Sequence, residues 1–278
     1  MKYTAKTFIR WASLLSLLLT TYANAQTVHI SHCMAGCPVD VSNMAVDDSE
    51  LIVRQLFVAS IDGERGLADW QAYRVLADSV GVASLLPRVW FEDSLVRGNA
   101  GIAESIDDTP QFVQSVSTDA EERSYQLNEI ELLSEEQGRL VPMSSFAGTP
   151  YWSELNYLSN MAPLPFDLRV GSWSRLDQAI NALADRIGEV YVVSGPIYKS
   201  AGTNDDEDMD GPAAYFKVVS TPDAMSAFIF ESDVQQHINF CDQVSTLETV
   251  EAQTGLLLFP RRGDEFNASL QEQLSCSQ

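Results

Sequence analysis

Apolar and polar positions recur with two different periods along this chain, and the two periods predict one long helix and several strands. Between Ser172 and Gly188 the apolar positions are spaced three or four residues apart, which predicts a helix capped by Ser172 and ended by Gly188. Its apolar positions are Trp173, Leu176, Ile180, Leu183 and Ile187. This helix is the element that the pattern predicts most clearly.

Short apolar runs rich in β-branched and aromatic residues predict the strands. A buried strand is expected over residues 51–59, followed by a turn at Asp62 and Gly63. Other strands are expected at 70–76, 189–194, 213–220 and 225–231, and short helices near 246–254 and 264–274. Because strands and helices are mixed without strict alternation, the sequence predicts an α+β domain.

The amino-terminal segment has the pattern of a secretory signal. Lys2, Lys6 and Arg10 precede an apolar run over 11–19, and Ala-Asn-Ala at 23–25 gives the small-x-small pattern that signal peptidase recognises. No later segment approaches the roughly 20 apolar residues that a membrane-spanning helix needs. The sequence therefore predicts a signal peptide at 1–25, a single domain at 26–278, and export to the periplasm or the medium.

Four cysteines follow the predicted signal, and an even number in an oxidising compartment predicts two disulfides. Three connectivities are possible, and the layout favours a local loop from Cys33 to Cys37 and a clamp from Cys241 to Cys276. A zinc site is the weaker alternative, because C-x3-C with histidines only at 29, 32 and 237 gives no familiar ligand spacing. We expect surface or structural roles for these histidines.

Net charge narrows the possible functions. The chain has 17 Lys and Arg against 39 Asp and Glu, a formal charge of −22, and removal of the signal takes away three basic groups and no acidic ones. Nucleic-acid affinity comes largely from Lys and Arg that displace counterions from phosphates. The composition therefore excludes most ordinary nucleic-acid binders, and any phosphate chemistry needs a locally basic cleft on an acidic body.

Two stretches of the chain are strongly acidic. Residues 104–136 carry ten acids and one base, which predicts a solvated excursion with short helical or strand pieces. Asp206 to Gly211 matches the first half of a calcium loop, but position twelve would be Lys217 and Pro212 follows at once. A solvated acidic loop is the better interpretation, with calcium binding as the alternative.

From Glu136 onward the chain contains a set of short motifs: Leu155-Asn156-Tyr157-Leu158-Ser159-Asn160, Pro163, Asp167-Leu168, Trp173-x-Arg175-Leu176, Val190 to Tyr198, and Ala214 to Val218. With these residues, the segment from Glu136 to Asp177 resembles the active-site region of the DNA/RNA non-specific endonucleases, secreted nucleases with a ββα-metal fold. Upstream, Gly36-Cys37-Pro38, Trp70-x-Ala72-Tyr73 and Arg88-x-Trp90 also match, and all four cysteines fall where secreted members place two disulfides. The resemblance covers nearly the whole mature chain and implies a central, mainly antiparallel sheet flanked by helices. The hairpin of the ββα motif is expected at about 126–155, before the helix near Ser172.

The catalytic positions are where this chain departs from the family. The family signature is D-R-G-H, and its His is the general base that activates water; here the four positions are Glu136, Gln137, Gly138 and Arg139. A guanidinium stays protonated at physiological pH, so Arg139 cannot take a proton from water. The resemblance also implies that Arg88 is one of the family's phosphate-side arginines.

The resemblance implies a Mg²⁺ site with altered surroundings. Family members hold the ion through an Asn side chain that matches Asn160, and a helix carboxylate acting through water matches Asp177. A second Asn of the cleft falls at Arg169, so a cation stands where the metal's surroundings should be neutral or anionic. Arg139 and Arg169 would both repel Mg²⁺ at close range.

Two hypotheses follow. In the first, the scaffold persists without the usual reaction, and Arg88, Arg139 and Arg169 line a cleft for nucleic acid or another phosphate-bearing or anionic ligand. In an alternative form of this hypothesis, the arginines form ion pairs with acids such as Asp167 and Asp177, and the site is inert. In the second, the protein is an active Mg²⁺-dependent endonuclease that hydrolyses DNA and RNA with a different base.

Overall fold

The computed structural model describes residues 29–41, 49–63, 66–96, 137–198, 211–263 and 268–276, together with the backbone of three short strands between 103 and 132. The predicted signal peptide, the acidic loop at 206–210, Glu136 and most of 104–135 lie outside the described residues. Within the described part, no helix is long and apolar enough to cross a membrane.

Strands make up most of the regular structure, and the helices are few. The strands are β1 (Val39–Asp40), β2 (Glu50–Val53), β3 (Phe57–Ile61), β4 (Ala68–Leu76), β5 (Ala103–Ser105), β6 (Tyr125–Leu127), β7 (Ile130–Leu132), β8 (Gln137–Arg139), β9 (Met161–Pro163), β10 (Glu189–Ile197), β11 (Ala214–Ser220), β12 (Ala224–Glu231), β13 (Val244–Ser245), β14 (Leu256–Leu257) and β15 (Ala268–Ser269). The helices are α1 (Phe166–Leu168), α2 (Ser174–Ile187) and α3 (Leu247–Thr254), with short 3-10 helices at Ala77–Ser79, Ala83–Leu85, Met143–Ser145, Trp152–Asn156, Leu158–Asn160 and Phe240–Gln243. This mixture confirms the α+β class.

The large sheet has the strand order β13-β12-β11-β10-β4-β3-β2, and β15 adds to β12. All its pairings are antiparallel except that of β15 with β12. The central strands β10 and β11 are buried over almost their whole length because both faces of the sheet are covered. On β10 the side chains of Val192 and Val193 therefore enter two different apolar cores.

The two cores have different coverings. The first core lies between the sheet and the segment 140–187, and includes Leu140, Leu155, Leu168, Trp173 and Leu176. The second core lies on the opposite face, where Leu247 and Val250 of α3 pack with Phe259 and Cys33. The segment with the predicted site thus rests entirely on one face of the sheet.

The structure corrects several predicted boundaries. Residues 51–59 form two strands, β2 and β3, because Arg54, Gln55 and Leu56 make the turn of a hairpin in which the amide of Arg54 donates to the carbonyl of Phe57. The described residues of 264–274 contain β15 and turns instead of a helix. The strand at 70–76, the three later strands and the helix near 246–254 are confirmed within one to three residues.

The ββα motif lies later in the chain than expected. Its two strands are β8 and β9, which pair antiparallel with Arg139 opposite Met161, and the hairpin expected at 126–155 is therefore wrong. At the centre of this pair, Gly138 lies opposite Ala162. A Cβ on Gly138 would stand 2.4 Å from the Cβ of Leu164, so this close approach requires glycine.

The helical arm of the motif begins before the predicted cap. A π-helical turn at Arg169–Trp173 joins α1 to α2, and the chain kinks at Gly171, whose φ of −96° and ψ of −119° are not helical. Ser172 donates its hydroxyl to the carbonyl of Ile238 instead of capping the helix. The end of α2 is as predicted, because Gly188 has a φ of 97° and closes the last turn onto Ala184.

Both disulfides are present with the favoured connectivity. Cys33 bonds to Cys37 within one loop, and Cys241 bonds to Cys276 across 35 residues. All four cysteines of the chain are thus oxidised. The zinc alternative is wrong, because a sulfur in a disulfide is not a thiolate ligand.

Candidate functional site

Arg139 ends β8 and lies against an aromatic ring at the mouth of the ββα motif. Its guanidinium carbon is 4.1 Å from the centre of the Trp90 ring, a cation–π distance. Its Nη2 donates to Oδ1 of Asn156 at 2.9 Å, and its Nε donates to the carbonyl of Leu155 at 3.3 Å. These contacts fix the plane of the guanidinium while its side chain stays partly exposed.

Gln137 and the backbone of Pro87 are linked to Arg139 by hydrogen bonds. The indole of Trp90 donates to Oε1 of Gln137 at 3.1 Å, so the ring under Arg139 is held by its neighbour on β8. Asn156 accepts from Arg139 and donates in turn to the carbonyl of Pro87 at 3.1 Å. Gln137 and Arg139 therefore meet at Trp90, and the exposed Arg88 follows Pro87 directly in the chain.

Arg169 lies on the helical arm of the motif. It is the first residue of the π-helical turn, is partly exposed, and holds its guanidinium carbon 5.6 Å from the centre of the Phe166 ring. Phe166 is 52% exposed, which leaves an arginine next to an aromatic ring at the surface. Arg139 and Arg169 therefore occupy the strand side and the helix side of one motif.

The side chain of Asn160 makes hydrogen bonds that stabilise the fold. It is fully buried, and its Nδ2 donates to the carbonyls of Val141 at 3.1 Å and Leu155 at 2.9 Å. Its Oδ1 accepts from the amide of Val141 at 2.9 Å. The side chain thus crosslinks the two ends of the loop between β8 and β9, and this geometry does not fit the metal-ligand role that the sequence suggested.

Asp177 lies in the interior beside a buried lysine. Asp177 on α2 is 5% exposed, and Lys217 at the middle of β11 is fully buried and forms a salt bridge with it. The ammonium of Lys217 also lies 3.8 Å from the centre of the Trp173 ring. Burial raises the pKa of Asp177 and lowers the pKa of Lys217, and the contact between the two charges opposes both shifts.

Asp177 does not pair with the arginines, because its salt-bridge partner is Lys217. Sequence reasoning missed this lysine as a partner. The signal was present: Lys217 interrupts the apolar run AAYFKVVS, and a lysine inside a buried strand needs an acid nearby. Asp167, the other suggested partner, is exposed on α1.

Asn181 on α2 has a clear structural role. Its Oδ1 accepts from the hydroxyl of Ser145 at 2.6 Å. Its Nδ2 donates to the hydroxyl of Ser144 at 3.1 Å. Asn181 therefore binds α2 to the loop that follows β8.

The donor set of the motif does not fit a divalent cation. Hard cations such as Mg²⁺ take carboxylate, carbonyl and water oxygens. Here the amide oxygen of Asn160 and the carboxylate of Asp177 are buried and already bonded, and two arginines stand on the strand and helix sides. Among the described residues, no three His, Cys, Asp or Glu side chains cluster as a metal site.

Comparisons with known proteins agree with the fold. The model of the DNA/RNA non-specific endonuclease family matches residues 40–265, and the chain belongs to this family. It is 30% identical over 271 residues to the nuclease of Serratia marcescens, covering 93% of this chain and 91% of that protein. It is 29% identical over 132 residues to the mouse mitochondrial nuclease EXOG, but covers only 35% of that protein.

A solved structure shares the architecture. The chain is similar to a structure of the EndoG/EndoGI complex, described as showing the mechanism of EndoG inhibition, with a TM-score of 0.58 and 16% identity. The likeness covers 79% of this chain and 89% of the solved one. At this identity the likeness shows the fold alone, and it agrees with a ββα nuclease architecture.

Proposed function

We propose that this family member has lost the usual hydrolytic reaction and uses the ββα motif as a metal-independent site for phosphate-bearing ligands. The observation that carries the proposal is the guanidinium of Arg139, which is stacked on Trp90 and hydrogen-bonded to Asn156 at the position of the family's general base. An arginine fixed in this way is a donor to anions, because it has five N–H groups and no acceptor.

The proton chemistry supports the loss of hydrolysis. Activation of water requires a group that accepts a proton near neutral pH, and a guanidinium, which stays protonated at physiological pH, does not. General-base catalysis contributes roughly 100- to 10,000-fold to such reactions. Arg139 donates hydrogen bonds to the side-chain oxygen of Asn156 and to the carbonyl of Leu155, and these bonds hold the guanidinium at the position of the family's base.

The family is one of metal-dependent nucleases, generally with Mg²⁺, and the bound ion supplies charge stabilisation at the reacting phosphate. In this chain the poor fit of Asn160 and Asp177 as ligands argues against that contribution. Arg139 and Arg169 would instead supply positive charge themselves. Arginine binds phosphate by charge-assisted and often bidentate hydrogen bonds, which need no metal.

Nucleic acid is the ligand class that the family suggests, because its members act on DNA and RNA. The body of this protein is strongly acidic, with a formal charge of −22, so a long duplex would be repelled outside the cleft. We therefore place Arg88, Arg139 and Arg169 around a short phosphate-bearing ligand, such as a nucleotide or the end of an oligonucleotide.

Export is part of the proposal. Residues 1–25 have the pattern of a signal peptide, and the remaining 26–278 would form a single domain in the periplasm or the medium. The two disulfides support an oxidising compartment.

The second candidate is a working Mg²⁺-dependent endonuclease with a different base. Its support is the family membership and the 30% identity to the Serratia nuclease across almost the whole chain. It requires a proton acceptor other than Arg139 and a rearrangement that releases Asp177 from Lys217.

A binding titration in chelator tests the proposed function. We expect the oxidised mature protein to bind inorganic pyrophosphate and a short labelled oligonucleotide without divalent metal, and Arg139→Gln and Arg169→Gln each to weaken binding about 10- to 100-fold, since a hydrogen bond to a charged group is worth about 1.5 to 3 kcal/mol. Arg262→Gln is the matched control, because Arg262 is exposed in the carboxy-terminal segment and its loss changes the net charge equally. Equal weakening by all three variants, or no binding by the wild type, would contradict the proposal.

A further inference from the structure

A row of three buried polar side chains crosses the centre of the large sheet on the face that carries the ββα motif. Gln71 on β4 lies opposite Ser194 on β10, and Ser194 lies opposite Lys217 on β11. All three residues are fully buried. The row ends in apolar residues on both sides, with Ala59 on β3 and Phe228 on β12.

Each member of this polar row contacts a different arm of the ββα motif. The amide of Gln71 donates to the carbonyl of Ser159, just before Asn160 and β9. The hydroxyl of Ser194 donates to the carbonyl of Leu140, just after Arg139 and β8, at a long 3.5 Å. Lys217 forms its salt bridge with Asp177 on α2. Strand β4 therefore contacts the chain next to β9, β10 contacts the chain next to β8, and β11 contacts α2.

Apolar contacts alone would hold the motif on the sheet but would not fix where it sits, because the hydrophobic effect is non-directional. A buried hydrogen-bonding group is costly to leave without a partner, so a small displacement of the motif would be opposed at all three contacts together. Phe57, Val192 and Val219 belong to the apolar core on the same face.

We infer that Gln71, Ser194 and Lys217 are positioning residues that set the location of β8, β9 and α2 on the sheet, and through them the separation of Arg139 from Arg169. The positioning itself does not depend on the proposed function. Only its consequence for ligand binding rests on the proposed anion site.

Distances between spin labels test the positioning directly. Labels are placed at three exposed residues: Asp223→Cys on the turn between β11 and β12 as the sheet reference, Ser153→Cys in the loop between β8 and β9, and Ala182→Cys on α2. The four native cysteines are all in disulfides and do not react. Two label pairs then report how the loop and the helix lie relative to the sheet.

Three variants each remove one member of the polar row, and one control variant leaves the polar row intact. They are Gln71→Met, Ser194→Ala, and Lys217→Met combined with Asp177→Leu so that no buried charge is left alone. The control is Ser220→Ala, because Ser220 is also fully buried on β11 but donates within the sheet, to the carbonyl of Tyr191 at 3.4 Å. Far-UV circular dichroism confirms that each variant is folded before distances are compared.

We expect Gln71→Met and the paired variant to shift or broaden the label distances beyond the change seen in Ser220→Ala, with a smaller effect for Ser194→Ala because its hydrogen bond is long. Pyrophosphate affinity should fall several-fold in the same order. Folded variants with unchanged distances would overturn the positioning role, whatever happens to binding. Shifted distances in a protein that binds no pyrophosphate would support the positioning role and contradict only the proposed function.

Discussion

Two tryptophans of this protein each hold a cation against the ring, and the two pairs are built differently. Arg139 lies 4.1 Å from the ring centre of Trp90 at a partly exposed position, and its hydrogen bonds reach a neutral amide and a carbonyl. Lys217 lies 3.8 Å from the ring centre of Trp173, is fully buried, and forms a salt bridge with Asp177.

The difference supports the proposal that Lys217 serves the fold and that Arg139 serves an external ligand. A buried cation without an acid would be very unstable, so Lys217 needs Asp177 as its partner in the core. A partly exposed guanidinium keeps its charge by hydration. The interior pair is therefore structural, and Arg139 is the cation that we propose for binding an external phosphate.

The largest expected effect is a difference in the free energy of unfolding between variants of the two cations. Lys217→Met leaves Asp177 buried without its partner and should lower the free energy of unfolding by about 3 to 5 kcal/mol. Arg139→Met removes two hydrogen bonds at a partly exposed site and should cost about 1 to 2 kcal/mol. Denaturant unfolding measures both.

The paired change Lys217→Met with Asp177→Leu is the control for that experiment. It removes both charges, so it should recover much of the loss caused by Lys217→Met alone. If the single and paired variants are equally unstable, or if Arg139→Met is the more damaging change, the assignment of Lys217 to the fold is wrong.

Stability at high pH tests the surroundings of the interior pair. Burial, followed by the negative charge of Asp177, raises the pKa of Tyr73 well above 10. The unfolded chain therefore loses this proton at a pH where the folded protein keeps it, so stability should fall as pH rises above 10, by about 1.4 kcal/mol per pH unit for one proton.

Tyr73→Phe removes the ionisable group and keeps the ring that packs edge-on against Phe146. We expect the variant to lose less stability than the wild type between pH 10 and 11 in denaturant unfolding. Parallel pH profiles for the two proteins would show that Tyr73 ionises as easily in the fold as in the unfolded chain.

The smallest expected effect concerns the ring under Arg139. Trp90→Phe keeps an aromatic face for the guanidinium but removes the indole donor to Gln137. Because phenylalanine is the weaker cation–π partner, pyrophosphate affinity should fall by about two- to fivefold, which corresponds to about 0.5 to 1 kcal/mol. Affinity unchanged within error would mean that Trp90 does not orient Arg139 for binding.

The sequence predicted the periodic elements well and the irregular ones poorly. The 3.6-residue spacing located α2 to within two residues of its start and one of its end, and short apolar runs rich in β-branched and aromatic residues located β4, β10, β11 and β12. The hairpin of β2 and β3 has the sequence pattern of one strand, because its turn residues Arg54 and Gln55 include no glycine or proline to mark the turn.

The contacts of the site residues could not be predicted from the sequence. The resemblance singled out Arg88, Gln137, Arg139 and Arg169, and the structure places Gln137 and Arg139 in contact with Trp90. The resemblance could not reveal that Asn160 is used by the loop backbone, since side-chain direction depends on the loop geometry between β8 and β9. The partner of Asp177 lies 40 residues away on β11, which only the folded sheet brings close.

The most direct test is digestion of plasmid DNA and RNA by the oxidised mature protein in Mg²⁺ and in Mn²⁺, compared with a chelated sample and with the variant Arg139→His plus Arg169→Asn. The account predicts no metal-dependent cleavage by the wild type, because a protonated guanidinium stands in place of the base and the carboxylate of Asp177 is bonded to Lys217. Cleavage gained by the double variant would show that these two positions alone disable the site. Metal-dependent cleavage by the wild type that the chelator abolishes would contradict the account.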